Sequence, residues 1–114
     1  MKAMKKTKDN VPTLSAKEAL VLELLLRTAG LEKYGLQMVG ESEGQLSRGT
    51  IYVTLSRMED KGYVESRPEE PNRPTSGIAR RLYRVTGYGQ RVFQVWQMAR
   101  ELGRLRNAGV EVAL

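Results

Sequence analysis

The chain has 114 residues, which is enough for one domain with a modest core and too few for two domains. It contains neither Cys nor His, so the sequence excludes a disulfide framework and a thiolate metal site. No apolar run approaches the roughly 18 residues of a membrane span. The basic segment 1–8 is followed by Asp9, Asn10 and Pro12 rather than by the apolar core of a signal peptide. We therefore expect a cytoplasmic protein.

The net charge of +6 is concentrated in two segments. Segment 1–14 has four Lys against one Asp, and segment 63–91 has six Arg against three Glu, whereas segment 15–62 is nearly neutral. Basic side chains placed in this way could reach phosphates on either side of a DNA groove. Many domains carry a basic surplus for solubility alone, so the charge favours a nucleic-acid partner only together with the order of elements.

A flexible basic arm is predicted for residues 1–13, followed by the first helix. Ser15 and Glu18 have the capping-box spacing that begins a helix, and the residues after them are apolar on almost every side. A helix with so little polar surface is expected to be buried on more than one side. We therefore expect it to lie between the domain and a second subunit, with Leu22 at the dimer interface.

The next segments predict a helix-turn-helix. A short helix is predicted at residues 34–39, a turn at 41–45 and a longer helix at 47–61. Ser47 is suited to cap the longer helix, and Gly62 can adopt the left-handed conformation that ends it.

The helix predicted at 47–61 has two different faces. Ile51, Leu55 and Met58 recur at the helical spacing that puts them on one buried stripe. The opposite face is small, polar and basic, so it could enter a DNA groove. The candidate DNA-binding residues of this segment are Arg48, Gly49, Thr50, Val53, Ser56, Arg57 and Lys61.

Two short β-like runs follow, at residues 63–66 and 82–85, and the segment between them is rich in Pro and Gly. This composition predicts an extended wing tip that cannot pair continuously. Arg80 and Arg81 precede the second run, where long cationic side chains suit phosphates or a narrow minor groove, and we add both to the candidate DNA-binding residues. Helix, strand, loop and strand in this order predict an α+β fold, mainly α, of the winged helix-turn-helix type across residues 14–86.

A C-terminal dimerisation helix is predicted at residues 87–106, with Thr86 as its cap. Because one helix beyond the wing has no core of its own, its apolar stripe is expected to pack on a second copy of the chain. The tail 107–114 is not assigned a structure. The stripe residues expected at the homodimer interface are Val92, Val95, Trp96, Ala99 and Leu102.

No catalytic site is predicted. Residues 44–50 space their glycines like a phosphate-binding loop but lack the Lys that must reach the phosphates, and Gly87-Tyr88-Gly89 lacks the third Gly of a dinucleotide motif. The carboxylates are spread along helices, so they form no convincing general base or metal cluster. We expect neither enzymatic activity nor a cofactor or metal ion.

Three motifs resemble the PadR family of bacterial transcription regulators. They are Lys-Tyr-Gly-Leu at 33–36, Leu-Ser-Arg-Gly-Thr-Ile-Tyr at 46–52 and Arg-Arg-Leu-Tyr-Arg-Val-Thr at 80–86. The resemblance covers most of residues 14–106. It implies a homodimer with two recognition helices, wings that touch the flanking minor groove, and repression of a promoter that a small molecule relieves in some members.

The resemblance also bears on single residues. It implies that Tyr52 contacts a phosphate, to which a phenol can donate a hydrogen bond. Val53 departs from the family pattern, which usually has Pro there, and Gly87 beside Gly89 is expected to loosen the start of the last helix. Chains with a short C-terminal segment resemble a subgroup in which some members bind flat hydrophobic compounds between subunits. Phe93 and Trp96 are therefore candidate effector-binding residues, although such a pair is commonly plain interface packing.

Two functions remain open from the sequence. The first is a repressor that binds an inverted-repeat operator as a homodimer, with a small aromatic effector as a further partner. The second is a winged-helix module that binds another protein without specific DNA binding, because a fold does not determine function. The basic wing favours the first, since a protein-binding face would more often expose a contiguous apolar patch.

Overall fold

The computed structural model describes residues 13–28, 32–69 and 80–109. The elements in chain order are α1 (Ala16–Leu26), β1 (Lys33–Tyr34), α2 (Gly35–Glu41), α3 (Ile51–Asp60), β2 (Val64–Pro68), β3 (Arg81–Val85) and α4 (Gly87–Asn107). This is the predicted winged helix-turn-helix with a long C-terminal helix. The predicted basic arm at 1–12, the wing tip with Pro71, Pro74 and Gly77, and the end of the tail at 110–114 lie outside the described residues.

The sheet has three antiparallel strands in the order β1-β3-β2. The register of the wing runs from Val64 opposite Val85 to Pro68 opposite Arg81, so Pro68 ends the strand at the sheet edge, where proline is tolerated. Strand β1 adds Lys33 opposite Tyr83 on the other side of β3. The two wing strands were predicted, whereas β1 was not, because two residues carry no alternation pattern.

The core is formed by side chains from α1, α2, α3, the sheet and the first turns of α4. From α3 it takes Ile51, Leu55 and Met58, the three residues predicted to form the buried stripe. Packing of this stripe leaves the opposite face of α3 in solvent. The other buried apolar residues are Ala19, Val21, Leu22, Leu24, Leu25, Met38, Leu46, Tyr63, Val64, Tyr83, Val92 and Phe93.

Helix α1 begins as predicted but is buried differently. The Ser15 hydroxyl accepts a hydrogen bond from the Glu18 amide at 3.1 Å, and the Glu18 carboxylate accepts one from the Ser15 amide at 2.9 Å. The chain's own helices and sheet cover the apolar sides of α1, and Leu22 is 0% exposed. The assignment of Leu22 to a dimer interface is therefore wrong, because this side chain has no surface to offer a partner.

The turn between α2 and α3 is held by Ser42. Its buried hydroxyl accepts from the Leu46 amide at 2.9 Å and donates to the Val39 carbonyl at 2.8 Å. Ser47 does not cap α3 as predicted, since its hydroxyl bonds the Thr50 hydroxyl at 2.8 Å and its carbonyl closes a turn with the Ile51 amide. Helix α3 begins at Ile51, and the candidate residues at 48–50 lie in the turn before it.

A close approach joins the end of α3 to the start of α4. Gly62 ends α3 with φ of 84°, as predicted, and the Thr86 hydroxyl donates to the Gly62 carbonyl at 2.6 Å. The same hydroxyl accepts from the Gly89 amide at 2.9 Å and so caps α4. A Cβ at Gly89 would lie 2.1 Å from the Tyr63 carbonyl oxygen, so only glycine permits this packing. The loosening expected from Gly87 stays a prediction.

Gly89→Ala is expected to lower the free energy of unfolding by about 1–3 kcal/mol, because the added methyl group displaces α4 from the chain that enters β2. The control is Gly40→Ala in α2, where no atom lies within 4 Å of the added group. That variant should gain about 0.5–1 kcal/mol, since alanine loses less freedom in a helix. Urea unfolding followed by circular dichroism compares the two, and similar changes in both would contradict the close approach.

Candidate nucleic-acid interface

The outward face of α3 combines small, polar and basic residues. Gly49 and Thr50 in the preceding turn are exposed, and so are Val53, Ser56 and Arg57, which follow at helical spacing. Apart from Gly49 itself and its two chain neighbours, no described residue has an atom within 4 Å of the point where Gly49 would carry a Cβ. The backbone at the start of this helix is therefore open to a close neighbour. The sequence predicted this face correctly, because its residues lie opposite the buried stripe.

Tyr52 stands at the edge of this face and packs against α2. A Cβ at Gly35 would lie 2.9 Å from the Tyr52 ring, so the absence of a side chain at Gly35 makes room for it. The residue is still 49% exposed. Tyr52 is thus held in place from one side while part of its surface faces solvent, and its contact with a phosphate stays a prediction.

The arginines of the site differ in whether a carboxylate holds them. Arg48 and Arg57 are exposed, and neither makes an ion pair or hydrogen bond within residues 13–28, 32–69 and 80–109. In contrast, Arg67 pairs with a carboxylate at 2.7 Å, Arg80 at 3.1 Å and Arg84 at 2.5 Å. Carboxylates therefore offset part of the positive charge of the wing, whereas Arg48 and Arg57 lie beside and on α3 without such a partner among the described residues.

Arg80 belongs to a cluster beyond the last strand pair of the wing, Pro68 and Arg81. Its guanidinium pairs with Glu69 and lies 4.3 Å from the centre of the Tyr34 ring, whose hydroxyl donates to Glu69 at 2.7 Å. The hydrogen bond to Glu69 raises the pKa of Arg80. Arg80 was predicted to contact DNA, but in this structure it ties the wing to the start of α2. Any phosphate contact would have to compete with Glu69.

Arg81 is connected to α3 through a serine. Its Nε donates to the Ser66 hydroxyl at 3.0 Å, and that hydroxyl donates to the Glu59 carboxylate at 2.9 Å. The guanidinium remains exposed, and no carboxylate lies within ion-pair distance of it in the part of the chain that the structure describes. This chain of hydrogen bonds fixes the wing strands relative to α3, and it leaves Arg81 available to a phosphate.

Lys61 was predicted to bind DNA, but in this structure its ammonium group is held by residues of its own chain. Its ammonium group donates to both oxygens of Glu18, at 2.9 and 3.1 Å, and to the Thr13 carbonyl and hydroxyl at 3.3 Å. It also lies 5.5 Å from the centre of the Tyr63 ring. A carboxylate whose side chain is 6% exposed attracts the ammonium group more strongly than open solvent does, so Lys61 ties α3 to the start of α1.

Sequence reasoning missed the residues that position the wing, namely Tyr34, Ser66 and Glu69. Tyr34 and Glu69 are 35 positions apart, and neither periodicity nor composition indicates a contact over such a distance. Tyr34 was noted only as part of a family motif. Glu69 was counted as a negative charge of the wing, and nothing in its neighbours marks it as the partner of Arg80.

The apolar residues of α4 differ in where they lie. Val92 and Phe93 are buried in the chain's own core, whereas Val95 and Ala99 are exposed and Leu102 is half-buried. The Trp96 ring stacks on Phe93 with centroids 5.9 Å apart, and Arg100 lies 4.9 Å from its centre on the solvent side of the helix. The assignment of Val92 to a dimer interface is therefore wrong, because the chain's own core covers this side chain. The interface predicted for Val95, Trp96, Ala99 and Leu102 stays a prediction.

Within the described ranges, no group of acidic side chains could hold a metal ion, and no helix is long and apolar enough to cross a membrane.

Replacing Lys61 with Ala is expected to lower the free energy of unfolding by about 1–3 kcal/mol, because the nearly buried Glu18 carboxylate loses its counter-charge. The matched control is Arg27→Ala, which breaks the pair with Glu23, whose side chains are 59% and 48% exposed. That change should stay within about 0.5 kcal/mol. Chemical denaturation measures the free energy of unfolding of both variants. An equal decrease in the two would mean that the Glu18–Lys61 pair does not stabilise the fold more than an exposed pair does.

Solved structures with the same fold include several bacterial regulators. A PadR family transcription regulator from Clostridium difficile is 23% identical, with 79% of this chain and 93% of that chain covered and a TM-score of 0.63. A PadR-like transcription factor from Bacteroides fragilis is 22% identical, with 81% and 87% covered and a TM-score of 0.65. PadR of Bacillus subtilis, solved in complex with operator DNA, is 20% identical, with 72% and 46% covered and a TM-score of 0.59.

At these identities the likeness concerns the fold. No curated protein matches the chain. The family model described as the transcriptional regulator PadR-like family matches residues 21–95, which is more than half of the 114 residues. The match includes α2, α3, both wing strands and the first half of α4. The chain therefore belongs to the PadR-like family of transcriptional regulators.

Proposed function

We propose that this protein is a repressor that binds an inverted-repeat operator as a homodimer and inserts α3 into the major groove. The observation that carries the proposal is the pair of unpaired, exposed arginines, Arg48 and Arg57, on a face that is otherwise small and polar. Arginine is the side chain best suited to the acceptors of guanine and to phosphate oxygens. The PadR of Bacillus subtilis, which has the same fold, was solved with operator DNA and supports the proposal.

The alternative is a winged-helix module that binds a protein. Such an interface would favour a contiguous apolar surface. On α3 the exposed apolar residues are Tyr52 and Val53, and their neighbours Gly49, Ser56 and Arg57 are small or charged. This composition favours DNA, whose grooves and phosphates demand polar and cationic side chains.

Dimerisation through α4 is part of the proposal. Val95 and Met98 are large apolar side chains with more than half of their surface exposed, and Ala99 and Leu102 continue this surface along the helix. A second copy related by a two-fold axis would bury identical surfaces against each other. Two α3 helices carried by such a dimer would read half-sites about 34–36 Å apart, or a multiple of that distance.

A small aromatic effector is a further part of the proposal. Trp96 is half-buried, with Phe93 stacked on one side and Arg100 near its ring, so a flat compound could bind beside it at the interface between two copies of α4. A compound that binds one arrangement of the two subunits more tightly would shift the dimer toward that arrangement. The distance between the two α3 helices would then change. Titration of planar cationic and phenolic compounds against Trp fluorescence and DNA release tests this, and quenching without DNA release would contradict it.

Arg57→Ala and Arg48→Ala are each expected to weaken operator binding by about 1–3 kcal/mol if the side chain meets a base edge. If the side chain meets a phosphate, the affinity for all DNA sequences should fall alike. The slope of the logarithm of affinity against the logarithm of salt concentration should then decrease by about one unit. Fluorescence anisotropy at several salt concentrations distinguishes these cases. Arg27→Ala removes the same charge from α1 and is the control. Equal affinities of all three variants would contradict a DNA contact by α3.

Leu102→Asp is expected to produce a monomer and to abolish tight operator binding, because a carboxylate in an apolar interface cannot be solvated. Gln94→Asp places the same charge on an exposed polar position of α4 and should leave a dimer. Analytical ultracentrifugation at micromolar concentration measures both, with circular dichroism to verify folding. A folded Leu102→Asp monomer that binds the inverted repeat as tightly as the parent would contradict the proposed dimer.

A further inference from the structure

Val53 is an apolar side chain on the exposed face of α3. It is 53% exposed in the middle of the outward face of α3. Its neighbours at helical spacing are Gly49, Thr50, Ser56 and Arg57, none of which is an apolar residue that could cover it. The fold does not need Val53, since the buried side of α3 is complete without it.

The surroundings of Val53 restrict what could cover it. Its isopropyl group is a small apolar surface surrounded by polar and charged side chains. Such a surface suits a single methyl group better than a protein partner, which would need a larger apolar patch. Gly49, one turn earlier, has open space around it, so the helix can come close to the floor of a groove at this point. Arg57, one turn later, carries an unpaired positive charge that favours a polyanion.

We propose that Val53 contacts the 5-methyl group of a thymine in the major groove and so makes the protein prefer thymine at that position of each operator half-site. This inference rests on the proposed binding of operator DNA by α3. Thymine is the base that presents a methyl group in the major groove, and apolar side chains recognise it through that group. Val53 thus selects thymine over cytosine, while the arginines at its sides supply charge and guanine contacts.

Thr50 is the competing explanation for any thymine preference. It also carries a methyl group on the same exposed face, one turn before Val53. Its hydroxyl is bonded to the Ser47 hydroxyl at 2.8 Å, so the rotation of this side chain is restricted. Thr50→Ser removes the methyl group and retains the hydroxyl, which makes it a matched control for Val53→Ala.

The experiment replaces single thymines with deoxyuridine in an operator recovered by selecting genomic fragments with the purified protein. Deoxyuridine lacks the methyl group and keeps every hydrogen-bonding atom. At one thymine of a half-site, the substitution is expected to weaken binding by the parent protein about fourfold, on the order of 0.8 kcal/mol, the value of one buried methylene. For Val53→Ala, the thymine and deoxyuridine operators should bind equally. Thr50→Ser should retain the fourfold preference.

Three results would overturn the inference. Insensitivity of the parent protein to deoxyuridine at every position would exclude a methyl contact while leaving operator binding intact. A preference that persists in Val53→Ala and disappears in Thr50→Ser would assign the methyl contact to Thr50. Binding without any sequence preference in the selection would overturn the proposed operator recognition as well. Circular dichroism verifies that Val53→Ala is folded, as expected for a half-exposed position on a helix.

Discussion

The burial of one stripe on α3 determines how the rest of the domain is arranged. Ile51, Leu55 and Met58 lose all contact with solvent, and this can happen only if α1, α2 and the sheet surround the same side of the helix. The opposite side is then exposed by geometry, since a helix has a period of about 3.6 residues. The exposure of the candidate binding surface is therefore a consequence of core packing, and no further contact is needed to orient it toward solvent.

Ion pairs distinguish the cationic side chains that hold the fold together from those that are open to a partner. Lys61, Arg67, Arg80 and Arg84 each lie beside a carboxylate. The pairs of Lys61 and Arg67 connect elements that are distant in sequence, whereas those of Arg80 and Arg84 join the two sides of the wing. The hydrogen bond from Arg67 lowers the pKa of Glu32, so this carboxylate stays charged to a lower pH than an ordinary glutamate does. Arg48 and Arg57, beside and on α3, have no such partner within the described residues. The net charge of +6 alone does not show which cations are paired.

The sequence predicted those features that depend on local chemistry. The capping box at Ser15, the left-handed Gly62 and the cap at Thr86 each involve residues within a few positions of one another, and the structure contains all three. Periodicity likewise predicted the buried stripe of α3. These features could be read because a helix repeats its environment every three or four residues.

The features that the sequence did not predict depend on contacts between distant residues. Leu22 was assigned to an interface, but its environment is set by helices far along the chain. Lys61 has a favourable place at the end of α3, and only the tertiary fold shows Glu18 beside it. In both cases a contact made by the tertiary fold outweighs the local pattern. The start of α3 at Ile51 instead of Ser47 has a local cause, because the Ser47 hydroxyl bonds the Thr50 hydroxyl rather than a backbone amide.

The contact between Gly89 and the Tyr63 carbonyl has a mechanical consequence. Tyr63 directly follows the glycine that ends α3, and Gly89 lies in the first turn of α4, so α4 meets the chain between α3 and β2 through backbone. Side chains can change rotamer and absorb a displacement, whereas backbone in close contact cannot. A displacement of the first turn of α4 would therefore be passed directly to the chain that links α3 to the wing.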